Sequence, residues 1–181
     1  GIPPEGAPFR LWMRSDRQLI PLLNPSLVTE FSRLDKLRAF WRGEQGIWRW
    51  KVMLELAPSR TDWTWHVYVA QAGVDPRRAE VILAQDLGLS VLPQARTNEN
   101  YNAHYIDHTV LPHPEWGPVI CSRQNLPQDK RHPWLAAACP TGAAAFAADA
   151  LDVVGLSQRT SGTPRLANGK PLPSRRRQGE S

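Results

Sequence analysis

The most regular pattern in the chain runs from Trp48 to Val69. Trp48, Trp50, Val52, Leu54 and Leu56 occupy every second position, and Arg49, Lys51, Met53 and Glu55 stand between them. Alternation with period two sends successive side chains to opposite faces of an extended chain, so this run reads as a half-buried strand. Pro58, Ser59, Arg60, Thr61 and Asp62 supply turn chemistry. Trp63, Trp65, Val67 and Val69 then alternate with Thr64, His66 and Tyr68. The two runs predict a β-hairpin whose apolar face carries four tryptophans and whose other face carries Arg49, Lys51, His66 and Tyr68.

The flanking segments show helical spacing. Asn24 precedes Pro25, an N-cap residue followed by proline at the first helical position. Leu27, Phe31, Leu34, Arg38 and Trp41 follow three or four residues apart, which predicts an amphipathic helix over 25–42. Asp75-Pro76 repeats the device, and Ala79, Ile82, Leu83 and Leu87 predict a second helix over 76–87, stopped by Gly88. The apolar stretch Leu11–Leu23 has room for a short strand before Pro21. Residues 89–93 and 103–111 read as short strands around a polar loop at 96–102. Residues 112–134 hold five prolines and read as a long irregular segment. Pro140-Thr141 precedes an Ala-rich run to Val154, closed by Gly155, which predicts a small-residue helix. The expected fold class is therefore α+β: a small antiparallel sheet built on the Trp-rich hairpin and packed by two or three helices, with extended Pro-rich segments.

Composition agrees with a folded domain. Of the 181 residues, 41% are apolar, enough for one hydrophobic core. No apolar run reaches the roughly 20 residues of a membrane span, and residues 1–8, GIPPEGAP, lack the pattern of an export signal. The net charge of +5 is unevenly placed. Residues 1–155 carry sixteen basic and sixteen acidic side chains, and residues 156–181 carry the whole excess, including Arg175, Arg176 and Arg177. This divides the chain into a neutral domain, 1–155, and a basic extended tail, 156–181. A basic footprint spread over the fold, as in a DNA-binding domain, is not indicated; a basic arm is.

Candidate chemistry is sparse. The tryptophans share their positions with Val and Leu, so they fill a core rather than form a stacking platform for single-stranded nucleic acid. His104, His108 and His113 are close in sequence with Asp107 among them, and His104 and His108 have the i, i+4 spacing of a zinc pair, but no signature glutamate or glycine accompanies them. Cys139 stands before a predicted helix, where a thiol is activated, but three alanines and Pro140 around it suit a buried structural cysteine. Two cysteines, Cys121 and Cys139, cannot complete a four-ligand metal site, although a single disulfide between them is open. Ala138-Cys139-Pro140-Thr141-Gly142-Ala143 resembles the last cluster-binding turn of bacterial-type ferredoxins. The Cys-x-x-Cys-x-x-Cys ahead of that turn is missing, which excludes a cluster on ligand count.

The sequence thus implies a non-enzymatic structural or accessory subunit of a large assembly, with a ribonucleoprotein as the first setting. Arg49, Lys51, His66, Tyr68, Arg175, Arg176 and Arg177 would contact RNA or neighbouring protein subunits, with no cofactor. The alternatives are a subunit of a protein-only complex or viral particle, and an enzyme using Cys139 or the His104/His108/His113 group.

Overall fold

A computed structural model of the chain describes residues 9–16, 18–91, 93, 99–153 and 165–174. Its contacts divide into two compact units, Gly1–Gln85 and Asp86–Ser181.

Among its described residues the first unit has seven antiparallel strands in two sheets: β1 (Phe9–Ser15), β2 (Gln18–Pro21), β3 (Val28–Arg33), β4 (Arg38–Gln45), β5 (Trp48–Leu56), β6 (Trp63–Gln71) and β7 (Glu80–Gln85). One sheet has the order β2-β1-β7 and the other β3-β4-β5-β6. Leu11, Met13, Ile20 and Leu22 from the first side meet Trp48, Trp50 and Val52 from the second in one buried cluster. Two sheets that bury facing side chains in this way form a β-sandwich. The hairpin β5–β6 lies where the alternation puts it, paired from Trp48↔Gln71 to Leu56↔Trp63. Trp50 is buried, and its indole Nε1 donates to the Leu22 carbonyl at 2.9 Å, so its polar atom is satisfied.

The two long helices do not form, and the α+β expectation of a sheet packed by helices is overturned: the chain is mostly antiparallel sheet. Residues 25–42 hold a turn and two strands. Asn24 does cap, with its Oδ1 accepting from the Ser26 N–H at 2.9 Å, but the turn stops at Val28. The chain then becomes β3, reverses at Leu34–Leu37 and returns as β4, with Phe31 opposite Trp41 at a ring separation of 5.4 Å. Asp35 closes the reversal: its Oδ1 accepts from the N–H groups of Leu37 and Arg38, each at 2.8 Å. Residues 76–87 are likewise not helical. Loop leads into β7, which pairs with β1 from Arg14↔Glu80 to Phe9↔Gln85. The Arg14 guanidinium, buried, donates from Nε to Glu80 at 2.9 Å across this pair.

The second unit centres on a three-stranded antiparallel sheet, β10-β9-β8, made of β8 (Ile106–His113), β9 (Gly117–Gln124) and β10 (Trp134–Ala137). Short helices α1 (Glu99–His104) and α2 (Ala150–Val153) and a 3-10 turn, Arg165–Asn168, complete the described part. The segment expected to be irregular, 112–134, contains β9, and among the described residues of the Ala-rich segment only α2 is helical. Gly142 at φ +88 makes a turn after Cys139, a conformation that ends any helix begun at Pro140. One polar side chain organises this unit. Gln124 is fully buried; its Nε2 donates to the Asn102 carbonyl and its Oε1 accepts from the Leu126 N–H, each at 3.0 Å. Its backbone N–H donates to the Pro133 carbonyl at 3.0 Å, which fixes the start of β10. Within 156–181, Leu166 is buried and the Ser174 N–H donates to the Phe146 carbonyl at 3.0 Å. Among the described residues, no helix is long and apolar enough to cross a membrane.

Candidate functional site

The outer face of the four-stranded sheet is the most elaborated surface of the first unit. The register aligns Glu30, Arg42, Lys51 and Tyr68 in one row across β3, β4, β5 and β6. The next row aligns Ser32, Phe40, Met53 and His66. Glu44 and Arg49 lie in a third row, and Arg38, Glu55 and Thr64 in a fourth. The four residues expected on this face, Arg49, Lys51, His66 and Tyr68, are indeed brought together on it. The sequence reading missed their neighbours Phe40, Arg42 and Glu30, because it placed them on a helix. The signal was present: Arg38, Phe40, Arg42 and Glu44 alternate with Ala39, Trp41, Gly43 and Gln45.

The electrostatics of the face are local and balanced. Arg42 Nη1 meets Glu30 at 2.9 Å, Arg49 Nε meets Glu44 at 3.5 Å and His66 Nε2 meets Glu55 at 3.2 Å. Phe40, buried although it belongs to this face, lies beneath two cations, with Arg42 Cζ at 5.2 Å and Lys51 Nζ at 5.3 Å from its ring centre. Four Lys and Arg side chains, Arg38, Arg42, Arg49 and Lys51, share the face with three carboxylates, Glu30, Glu44 and Glu55, so it offers a polyanion little unneutralised charge. Tyr68, 58% exposed, is its protruding aromatic. At the sheet's end, the Arg38 guanidinium hydrogen-bonds Asp35 Oδ2 at 2.7 Å and, with the Leu37 N–H, holds that carboxyl below its ordinary pKa.

The second unit has an open surface pocket of about 520 Å³ lined in part by Leu89, Ser90, Gln128, Asp129 and Arg131. Asp129 in its lining and the following Lys130 are both left-handed, with φ of 47 and 64. The histidines do not converge. His104 ends α1, His108 on β8 shares a 2.9 Å hydrogen bond with Ser122, and His113 stacks on Trp116 at 4.4 Å. No group of three or more His, Cys, Asp or Glu side chains placed to hold a metal occurs among the described residues. Both thiols are free, and neither is buried: Cys121 is half-buried on β9, and Cys139 is exposed with its Sγ 3.3 Å from Thr141 Oγ1. The expectation of a buried Cys139 is thereby corrected; its position in a surface turn keeps it wet. Arg175, Arg176 and Arg177 lie outside the described residues.

The outer face of β10-β9-β8 carries a feature that the sequence reading passed over. Trp134, in the first position of β10, is 69% exposed and directly opposite Arg123, which is itself opposite Asp107. Thr109, Cys121 and Ala136 form the next row of the same face.

The described residues thus form a β-rich chain in which each unit has a sheet face with exposed side chains. The chain belongs to the SOGP N-terminal domain family, whose model matches residues 1–181. Over 98 residues it is 37% identical to the 1,2-beta-oligoglucan phosphorylase of Listeria innocua serovar 6a. That stretch covers 53% of this chain and 9% of the Listeria protein. The family's description as an N-terminal domain supports an accessory role.

Proposed function

We propose that this chain is a non-catalytic accessory domain serving a phosphorylase that acts on 1,2-β-linked oligoglucan. The face bearing Arg49, Lys51, His66 and Tyr68 is the surface it turns toward a protein partner. The observation that carries the reading is the family match over 1–181, joined to the likeness to a protein of that activity. The sheet face agrees with it in kind. The exposed Tyr68 and the arginines Arg42 and Arg49 are of the residue types enriched at protein interfaces. A ribonucleoprotein setting has no comparable support, because most charges of this face are paired with carboxylates and the tail arginines stand alone in its favour.

The test is a phosphorolysis assay with 1,2-β-oligoglucan and inorganic phosphate. The expected result is no sugar phosphate from this chain alone, and sugar phosphate from the whole encoded product that carries it. Arg49→Glu together with Lys51→Glu should lower that activity severalfold while the circular dichroism of the isolated chain stays unchanged. Turnover by the chain alone, or a whole product inert toward this glucan, overturns the reading.

A further inference from the structure

The outer face of β10-β9-β8 has an arrangement that the accessory role alone does not require. Trp134 is a large apolar ring held in water, against the free-energy gradient that normally buries such a surface. It stands on a strand rather than on a loop, and the strand's start is tied to the fully buried Gln124 through the Pro133 carbonyl. Its presentation is therefore rigid, which removes part of the ordering cost of binding. In the same cross-strand row lie Arg123, exposed, and Asp107, whose Oδ2 accepts from Asn125 Nδ2 at 2.7 Å. The row beside it is made of small side chains, Ala136, Cys121 and Thr109, about 7 Å along the strands. They leave a low floor next to the ring.

We infer that this face is a binding site for a neutral glucan chain, with Trp134 as the stacking platform. A β-glucopyranose presents its axial C–H groups as an apolar face and its hydroxyls as an equatorial rim. An exposed indole matches the face. Arg123 donors and Asp107 acceptors, placed one and two strands away in the same row, match the rim, since a guanidinium and a carboxylate together satisfy adjacent hydroxyls. The small-residue row accommodates the next sugar unit. The occupant is 1,2-β-linked oligoglucan, a choice that rests on the phosphorylase reading above.

The experiment is isothermal titration calorimetry of the whole chain with 1,2-β-oligoglucan, beside the phosphorolysis assay. Trp134→Ala should weaken binding roughly tenfold or more, as loss of one aromatic stacking contact does. Arg123→Ala should weaken it severalfold, and Trp63→Ala, at a half-open position in the other unit, should leave it unchanged. Absence of binding by the unaltered chain, or equal binding by Trp134→Ala, overturns the inference. If the encoded product still phosphorolyses the glucan in that case, the site alone is refuted and the accessory reading stands. If the product is inert toward the glucan, the reading beneath it has failed.

Discussion

At the scale of single residues, the sandwich depends on close approaches that leave no room for added atoms. Gly43 on β4 lies opposite Trp50 on β5. A Cβ built there would stand 2.4 Å from Trp50 Cζ2 and 2.6 Å from the Leu27 carbonyl oxygen. The indole cannot turn aside cheaply, because its Nε1 is bonded to the Leu22 carbonyl inside the core. Gly43→Ala is therefore expected to cost about 2 kcal/mol through overpacking, read as a lower denaturation midpoint in urea. An unchanged midpoint would mean that Trp50 is free to move. Asp35 gives a pH-dependent counterpart. Its carboxyl is held low, first by the Arg38 guanidinium and then by the Leu37 N–H. A carboxyl whose folded pKa lies below its unfolded one stabilises the fold above the unfolded value, and that contribution is lost as pH falls through the folded value. The turn between β3 and β4 should accordingly loosen only in acid, below about pH 4. An NMR titration should give Asp35 a midpoint below that of an unfolded-chain aspartate, and Arg38→Ala should raise it; a midpoint indifferent to Arg38 would refute the pairing.

At the scale of elements, local pattern was a good guide where one face of a strand is buried and a poor one elsewhere. The hairpin β5–β6 was legible from Trp48 to Val69, two residues short of its end, because Trp48, Trp50 and Val52 are all inside while Arg49 is outside. Next to it, β4 was not, because Phe40 and Trp41 are adjacent, aromatic and on opposite faces. Two neighbouring aromatics blur a period of two, and Leu27, Phe31, Leu34 and Trp41 then imitate a helical stripe. What separates the readings is Asp35, whose side chain substitutes for the backbone bonds of a turn. For β7 the deciding information is remote: Glu80 meets Arg14 across 66 positions of sequence, a pairing no window of local pattern contains. The same limits governed the candidate sites. Arg49, Lys51, His66 and Tyr68 were assigned to one face correctly because they share the legible hairpin. Trp134 was missed because β10 is four residues long and follows Pro133, so it offers no alternation to read.

At the scale of the whole molecule, the net charge of +5 admits two kinds of partner, one sensitive to salt and one nearly indifferent to it. Sixteen acids and sixteen bases in residues 1–155 leave the excess to residues 156–181, so a polyanion would be held chiefly by side chains such as Arg175, Arg176 and Arg177. Three such contacts release about three counterions, and affinity for RNA would fall roughly 20- to 40-fold between 50 and 200 mM salt. A glucan carries no charge and releases none. Hydrogen bonds donated by Arg123 and accepted by Asp107, and stacking on Trp134, would be short-range contacts that screening barely reaches. Binding of 1,2-β-oligoglucan is thus expected to change less than about twofold over the same salt range, measured by the same calorimetric titration. A steep loss of glucan binding with salt would show that charge, and not the indole platform, holds the ligand. RNA binding that is both tight and steeply salt-dependent would return the arginine tail to the centre of the function. A flat response to salt together with the loss caused by Trp134→Ala leaves the neutral, ring-stacking ligand as the one consistent with how this chain distributes its charge.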